Sequence, residues 1–227
     1  MSTTEVELCN LALFRVRANE IGDLNEQSVN AEKCRVFYPQ ARDTVLAEAP
    51  WGFAKTTRAL SLKSEEPEQW QYLYDHPNDC VTALYIIPPG ATGIVAQSGV
   101  TLTNVDVEHI PFEIMLDSSD SKSIATNYKD AKLAYIKYVT DVKLFTPAFE
   151  EAVIWKLAHD LAIPLGGDSG KKYRDDAARA YQSVIEKAKA QAFNQQVPRK
   201  RQQRPREIQA RAGSIYSRNY NGQPYWR

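Results

Sequence analysis

Residues 28–59, SVNAEKCRVFYPQARDTVLAEAPWGFAKTTRA, hold the change of texture that decides the fold. Up to Glu48 the apolar positions recur at helical spacing: Ala31, Cys34, Phe37, Tyr38, Ala41, Val45 and Leu46. Ser28 is a natural N-cap for that helix, and Pro39 inside it predicts a kink or a short break. Pro50-Trp51-Gly52-Phe53 then stops the helix and supplies two large aromatic anchors. From Lys55 to Val139 short alternating or β-branched stretches are separated by Pro, Gly, Asn and Asp clusters.

Working outward towards the N-terminus, Thr4-x-x-Glu7 has the capping-box pattern, in which hydroxyl and carboxylate each satisfy an unpaired backbone N–H. The helix it opens carries Val6, Cys9, Leu13 and Val16 in one stripe, widened by Leu8 and Ala12. Leu11 and Phe14 fall elsewhere on the wheel. A helix apolar over most of its circumference is buried on more than one side. Its second side belongs either to another subunit or to the centre of a monomeric bundle. Gly22 ends the segment in a turn.

Candidate strands between the helices are Ala59–Leu62, Trp70–Tyr74, Val81–Ile87, Gly93–Ala96, Val100–Leu102, Phe112–Leu116 and Leu133–Val139, with Asp117–Asp120 a polar loop. Their spacing predicts a small, mainly antiparallel sheet. Thr146-Pro147 opens a third helix, expected to end before Pro164. A fourth spans roughly Gly170 to Asn194. Its small residues and tyrosines predict an antiparallel hairpin with the third. The expected class is α+β: a bundle of about four helices with an inserted β-sheet domain and an extended C-terminal arm. The expected divisions are 1–54 and 141–194 for the bundle, 55–140 for the β-rich part and 195–227 for the arm.

Charge is distributed unevenly. The chain has 28 basic and 28 acidic residues, but residues 194–227 hold eight Lys/Arg against Glu207 alone. Residues 1–193 therefore carry 20 basic and 27 acidic residues, a balance of −7. The tail interleaves Arg199, Lys200, Arg201, Arg204, Arg206, Arg211 and Arg218 with Tyr216, Tyr220, Tyr225 and Trp226. Three readings stand: a solvated end, a nucleic-acid binder neutralising several phosphates, or an arm that orders on an acidic or grooved protein. The terminal aromatics tip towards the protein dock.

The chemical inventory is thin. His76, His109 and His159 lack metal-ligand spacing, and His159-Asp160 sit about 100° apart on a helix, which does not orient a general base. The usual Ser-nucleophile and nucleotide motifs are absent. Gly166-Gly167-Asp168-Ser169-Gly170 reads as an interhelical turn ahead of a phosphate cradle. Glu65-Glu66 and Asp175-Asp176 read as solvated acids, and Cys9 and Cys34 as small core residues. Three scattered cysteines suggest reduced thiols. The sequence holds no secretory pattern at Met1–Asn10, and without an apolar run of about 18 residues no membrane span is expected; the absent motifs and ligand spacings lead to no expected catalysis, cofactor or metal.

An ordered series of residues resembles a known family. It comprises Cys9-Asn10-x-Ala12-Leu13, Ile21-Gly22-x-Leu24, Ser28-x-x-Ala31-x-x-Cys34-x-x-x-Tyr38 and Ala41-Arg42-Asp43. Pro50-Trp51-x-Phe53-Ala54 and Tyr72-x-Tyr74-x-x-Pro77-x-Asp79-Cys80 complete it. The series resembles the tail tubular protein A family, the head-to-tail adaptors of short-tailed phages (podoviruses). The motifs cover about residues 6–84 and extend weakly through the helical hairpin. The resemblance implies a ring of twelve subunits between portal protein and tail nozzle protein, with side fibres as further partners. It places the chain in the virion tail, assembled in the host cytoplasm. Genomic DNA would pass through the ring without sequence-specific binding, and the tail residues named above would contact the portal or a neighbouring subunit. The sheet region, with loops near Pro88–Gly93 and Asp117–Lys122, is the expected place for outer or distal contacts. The alternative is a nucleic-acid-binding protein using the basic tail, and an enzyme ranks last.

Overall fold

The computed structural model describes residues 4–65, 67, 69–87, 94–95, 101–102 and 110–194. The expected C-terminal arm and the loop at Pro88–Gly93 lie outside them. The fold is α+β, with four helices and two small antiparallel three-stranded sheets. Helix α1 spans Glu5–Arg15 and α2 Val29–Glu48; α3 spans Pro147–Leu165 and α4 Gly170–Asn194. Between α2 and α3 run β1 (Lys55–Ala59), β2 (Tyr72–Asp75), β3 (Cys80–Ile87), β4 (Ile94–Val95) and β5 (Thr101–Leu102). They are followed by β6 (Phe112–Leu116), β7 (Lys122–Thr126) and β8 (Lys132–Lys137).

The strands divide in the order β1-β8-β3 and β2-β7-β6, with β4-β5 a separate pair. Lys55 opposes Ile136 in the first sheet, and Phe112 opposes Thr126 in the second. The β3–β8 pairing shifts register at Cys80/Thr82 and at Ala83/Tyr85. Strand β7 is absent from the sequence expectation. Its Lys-Ser-Ile-Ala-Thr composition reads as an extension of the polar turn before it, yet it is the central strand of its sheet. Ser123 and Thr126 are fully buried, which their hydrogen bonds permit: Thr126 Oγ1 donates to Pro111 O at 3.1 Å. Strand β1 starts four residues earlier than expected, because Lys55–Ala59 pairs with β8 although its own side chains are mostly exposed.

Two helix expectations are corrected. Helix α2 runs through Pro39 without a break. Pro39 is exposed, so the Arg35 carbonyl that loses its partner faces water. Helix α3 continues through Pro164 to Leu165. Pro164 sits in the last turn on the exposed side, where only the Asp160 carbonyl is deprived of a donor. Gly166 N–H closes the helix on Ala162 O at 2.9 Å. A single 3-10 turn, Gly167–Ser169, leads into α4 as the interhelical turn expected. Gly170 is required there, since a Cβ on it would lie 2.6 Å from Ala162 O.

The bundle core gathers Leu8, Cys9, Leu13, Cys34, Leu46, Val153, Leu157 and Leu161 from three helices, and α4 adds Ala177, Ile185 and Ala188. Its lower end is aromatic. Phe149 packs with ring centroids 4.6 Å from Phe145, 5.0 Å from Phe53 and 5.0 Å from Trp51. Trp51 Nε1 donates to Val45 O at 2.8 Å, which fixes the aromatic corner to α2. A second core lies in the sheets, around Tyr74, Ile86, Ile124, Leu133 and Tyr135. Buried Arg42 ties α2 to the segment after β8: it ion-pairs with Asp43 at 2.9 Å and donates to Tyr138 Oη at 2.5 Å.

Candidate functional site

The tail residues singled out by sequence, Arg199 to Trp226, lie outside the described residues. Among the described residues, the surface that departs most from a self-contained monomer is on α1.

Both halves of the capping box form. Thr4 Oγ1 accepts from Glu7 N at 3.2 Å and Glu7 Oε2 accepts from Thr4 N at 2.7 Å. At the other end Asn10 reaches past the helix terminus. Its Nδ2 donates to Ile21 O at 2.9 Å and its Oδ1 accepts from Ile21 N at 2.8 Å. Arg17, at φ +58, makes the left-handed turn between them. Thus α1 is fixed at both ends while Leu8, Cys9, Ala12 and Leu13 fill the core. Leu11 and Phe14 point outward, at 46% and 79% exposure. The all-round apolar character seen in the sequence is therefore only half used within one chain. Val29 and Val36, seven residues apart and so on one face of α2, are also exposed.

From Arg15 onward, a groove of about 290 Å³ runs between the end of α1, α3 and the start of α4. The Arg15 guanidinium lies 4.3 Å from the Trp155 ring centre and that of Arg17 5.9 Å from Tyr173. Lys172 and Asp176 complete its rim. Three cations and two aromatic faces from separate segments meet here. Sequence spacing carried no sign of this, because the residues come together only when α1 docks on the hairpin.

The catalytic candidates are rearranged in one respect. His159 Nδ1 and Asp160 Oδ1 are 2.9 Å apart, contrary to the expectation from helical angles. Side-chain torsions swing the imidazole across the 100° that separates the Cα–Cβ directions. Asp160 is also held by Lys156 Nζ at 2.8 and 2.9 Å, so the carboxylate is shared by two partners on its own helix. Burial, and to a lesser degree the charge of Lys122, holds His76 below the usual imidazole range; His109 lies outside the described residues. Contact with Cys34 and burial push the Cys9 thiol up, which keeps that core thiol protonated. Glu65 is exposed, as a solvated acid should be, and Ser118 Oγ donates to it at 3.0 Å. Asp176 pairs with Arg179 at 2.7 Å. Among the described residues no cluster of three or more His, Cys, Asp or Glu is placed to hold a metal, and no helix is long and apolar enough to cross a membrane.

Asp117, expected as part of an exposed loop, turns inward. Its carboxylate meets Lys63 and accepts from the backbone N–H of Ser119 at 2.9 Å and Ser121 at 2.8 Å. The Lys63 contact first, then the Ser121 and Ser119 amides, hold its pKa down at about 2. Ser118–Lys122 remains exposed.

No protein-family model matches the chain, and no curated protein matches it either.

Proposed function

We propose that the protein is a structural component of a virion: an adaptor whose copies assemble into a ring between portal and tail nozzle. Helix α1 carries this reading. Its inner face is fully buried and its ends are clamped, yet Leu11 and Phe14 stand in water, and the end of the same helix lines a groove rich in arginine and aromatic rings. Exposed aromatic and arginine side chains in one patch have the composition of an interface core. Val29 and Val36 on α2 offer a second apolar patch. Two unlike patches on one subunit are what a head-to-tail contact needs, and such contacts close into rings when the rotation closes.

The order of motifs from Cys9 to Cys80 supports the same reading through its resemblance to short-tailed phage adaptors, as does the uneven charge. A balance of −7 over residues 1–193 suits the wall of a DNA conduit, since an acidic lining lets phosphates slide. The basic aromatic tail suits an arm docking on the portal or a neighbouring copy. The nozzle, and in some phages side fibres, would meet the sheet region. Within this reading the work is binding, with no reaction to catalyse.

The test is the mass of the protein alone and after mixing with its candidate portal at moderate salt. The expected result is a ring-sized complex on the portal, lost in Phe14→Asp while the circular dichroism spectrum is unchanged. A monomer that ignores the portal overturns the reading. If that monomer binds DNA with a steep salt dependence, the function passes to nucleic acid and the tail.

A further inference from the structure

A second concavity lies where the two three-stranded sheets meet, well away from the α1 surface in the chain. It encloses about 650 Å³ and is walled by β1, the 60–63 segment, the β2–β3 turn and the start of β7. The size is that of small-molecule sites. Its charged lining is Arg58, Lys63, Asp75 and Lys122, and His76 lines it too.

The charges are not balanced one for one. Lys63 is held by Asp117 and, at 3.2 Å, by Asp75, so that lysine and both acids are already engaged. Asp79, next to the cleft, is occupied by Tyr135 Oη at 2.9 Å and Lys137 at 3.7 Å. Among the described residues no carboxylate lies within ion-pair reach of Arg58 or Lys122. Arg58 meets only the Tyr135 hydroxyl that also binds Asp79, so neither cation has a carboxylate of its own in a body whose balance over residues 1–193 is −7. They come from β1 and β7, strands of different sheets, so they approach from two walls. Ser61, Asn78 and Ser121 add side-chain donors, while Ala59, Leu60, Pro77 and Cys80 give apolar surface.

We propose that this cleft binds the phosphate group of a small phosphomonoester, with Arg58 and Lys122 each taking phosphate oxygens from opposite sides. One carboxylate is satisfied by a single guanidinium, whereas a tetrahedral dianion has oxygens for cations on two walls. The cleft is larger than a phosphate, and its apolar lining receives the organic part. The Lys63–Asp117 pair acts as the hinge pin that keeps the two walls at a fixed separation.

The experiment is a residue-resolved NMR titration of the full chain with inorganic phosphate and with ribose 5-phosphate, at constant ionic strength. Residue resolution is needed because the basic tail also attracts phosphate. Saturable shifts are expected at Arg58, His76, Asn78 and Lys122 with both probes, tighter with the ester. Arg58→Gln and Lys122→Gln should each weaken binding about tenfold or more, and both side chains are exposed, so the amide pattern elsewhere should stay as in the wild type. Sulfate, which does not titrate near neutrality, should raise the His76 pKa by screening it from Lys122. Shifts that are absent, that sodium chloride reproduces, or that survive in the double variant overturn the proposal.

Discussion

The helical bundle and the paired sheets are stabilised by different physics. The bundle buries side chains from four helices in one continuous core, with Phe149 at the centre of an aromatic corner. The sheets bury a much smaller apolar set and rely on polar pins at their joins: Lys63 with Asp117, Tyr135 with Asp79, and the buried hydroxyls of Ser123 and Thr126. Apolar burial is indifferent to pH and sensitive to volume. Ion pairs and hydrogen bonds are the reverse. The two regions should therefore fail under different insults.

The largest effect should come from Phe149→Ala, which empties the point where four aromatic rings meet. A loss of about 3–5 kcal/mol is expected in urea unfolding, with the midpoint moved and the slope unchanged. A loss below about 1 kcal/mol would mean the corner is not the keystone of the bundle. Asn10→Ala should follow, at about 1–3 kcal/mol, because it leaves both backbone groups of Ile21 unpaired. Hydrogen exchange should localise that loss to residues 16–24. Ile124→Val, in the centre of β7, should cost about 1 kcal/mol.

The smallest effect at neutral pH, and the most discriminating, is on acidification. Asp117 has its pKa lowered in the fold from 3.8 to about 2. Its contribution is fully present above about pH 4 and is lost as pH falls through about 2. Amide protection in β6 and β7 should therefore decline over that range while the bundle holds. In Asp117→Asn the decline should vanish, leaving the sheets weaker but flat with pH. Equal acid sensitivity in both regions would erase the distinction between them.

The bundle was far more legible in the sequence than the sheets, for a related reason. Helical periodicity and caps are local. Thr4 with Glu7, Ser28 and Thr146-Pro147 marked the starts of α1, α2 and α3 to the residue. Strand β6 was also placed at Phe112–Leu116, since aliphatic and aromatic residues crowd it. Strand β7 escaped because its burial is imposed by neighbours on both sides and not by its own hydrophobicity. The inward turn of Asp117 depends on Lys63, more than fifty positions away. Leu11 and Phe14 stood out as misplaced on the wheel, so one half of the candidate surface was visible early. The groove at the end of α1 was not, since Arg15, Trp155 and Tyr173 share no local pattern. The tail residues, from Arg199 to Trp226, fall outside the described residues.

The place of α3 in the bundle has a consequence for synthesis on the ribosome. Helices α1 and α2 emerge first, but the surface that covers Leu8, Leu13 and Leu46 includes Phe149, Leu157 and Leu161. At ordinary translation rates the interval between the end of α2 and the end of α3 is on the order of ten seconds. During it the two N-terminal helices carry uncovered apolar faces while the intervening strands are made. Expression yield should therefore respond to chaperone supply more than the finished protein's stability would indicate.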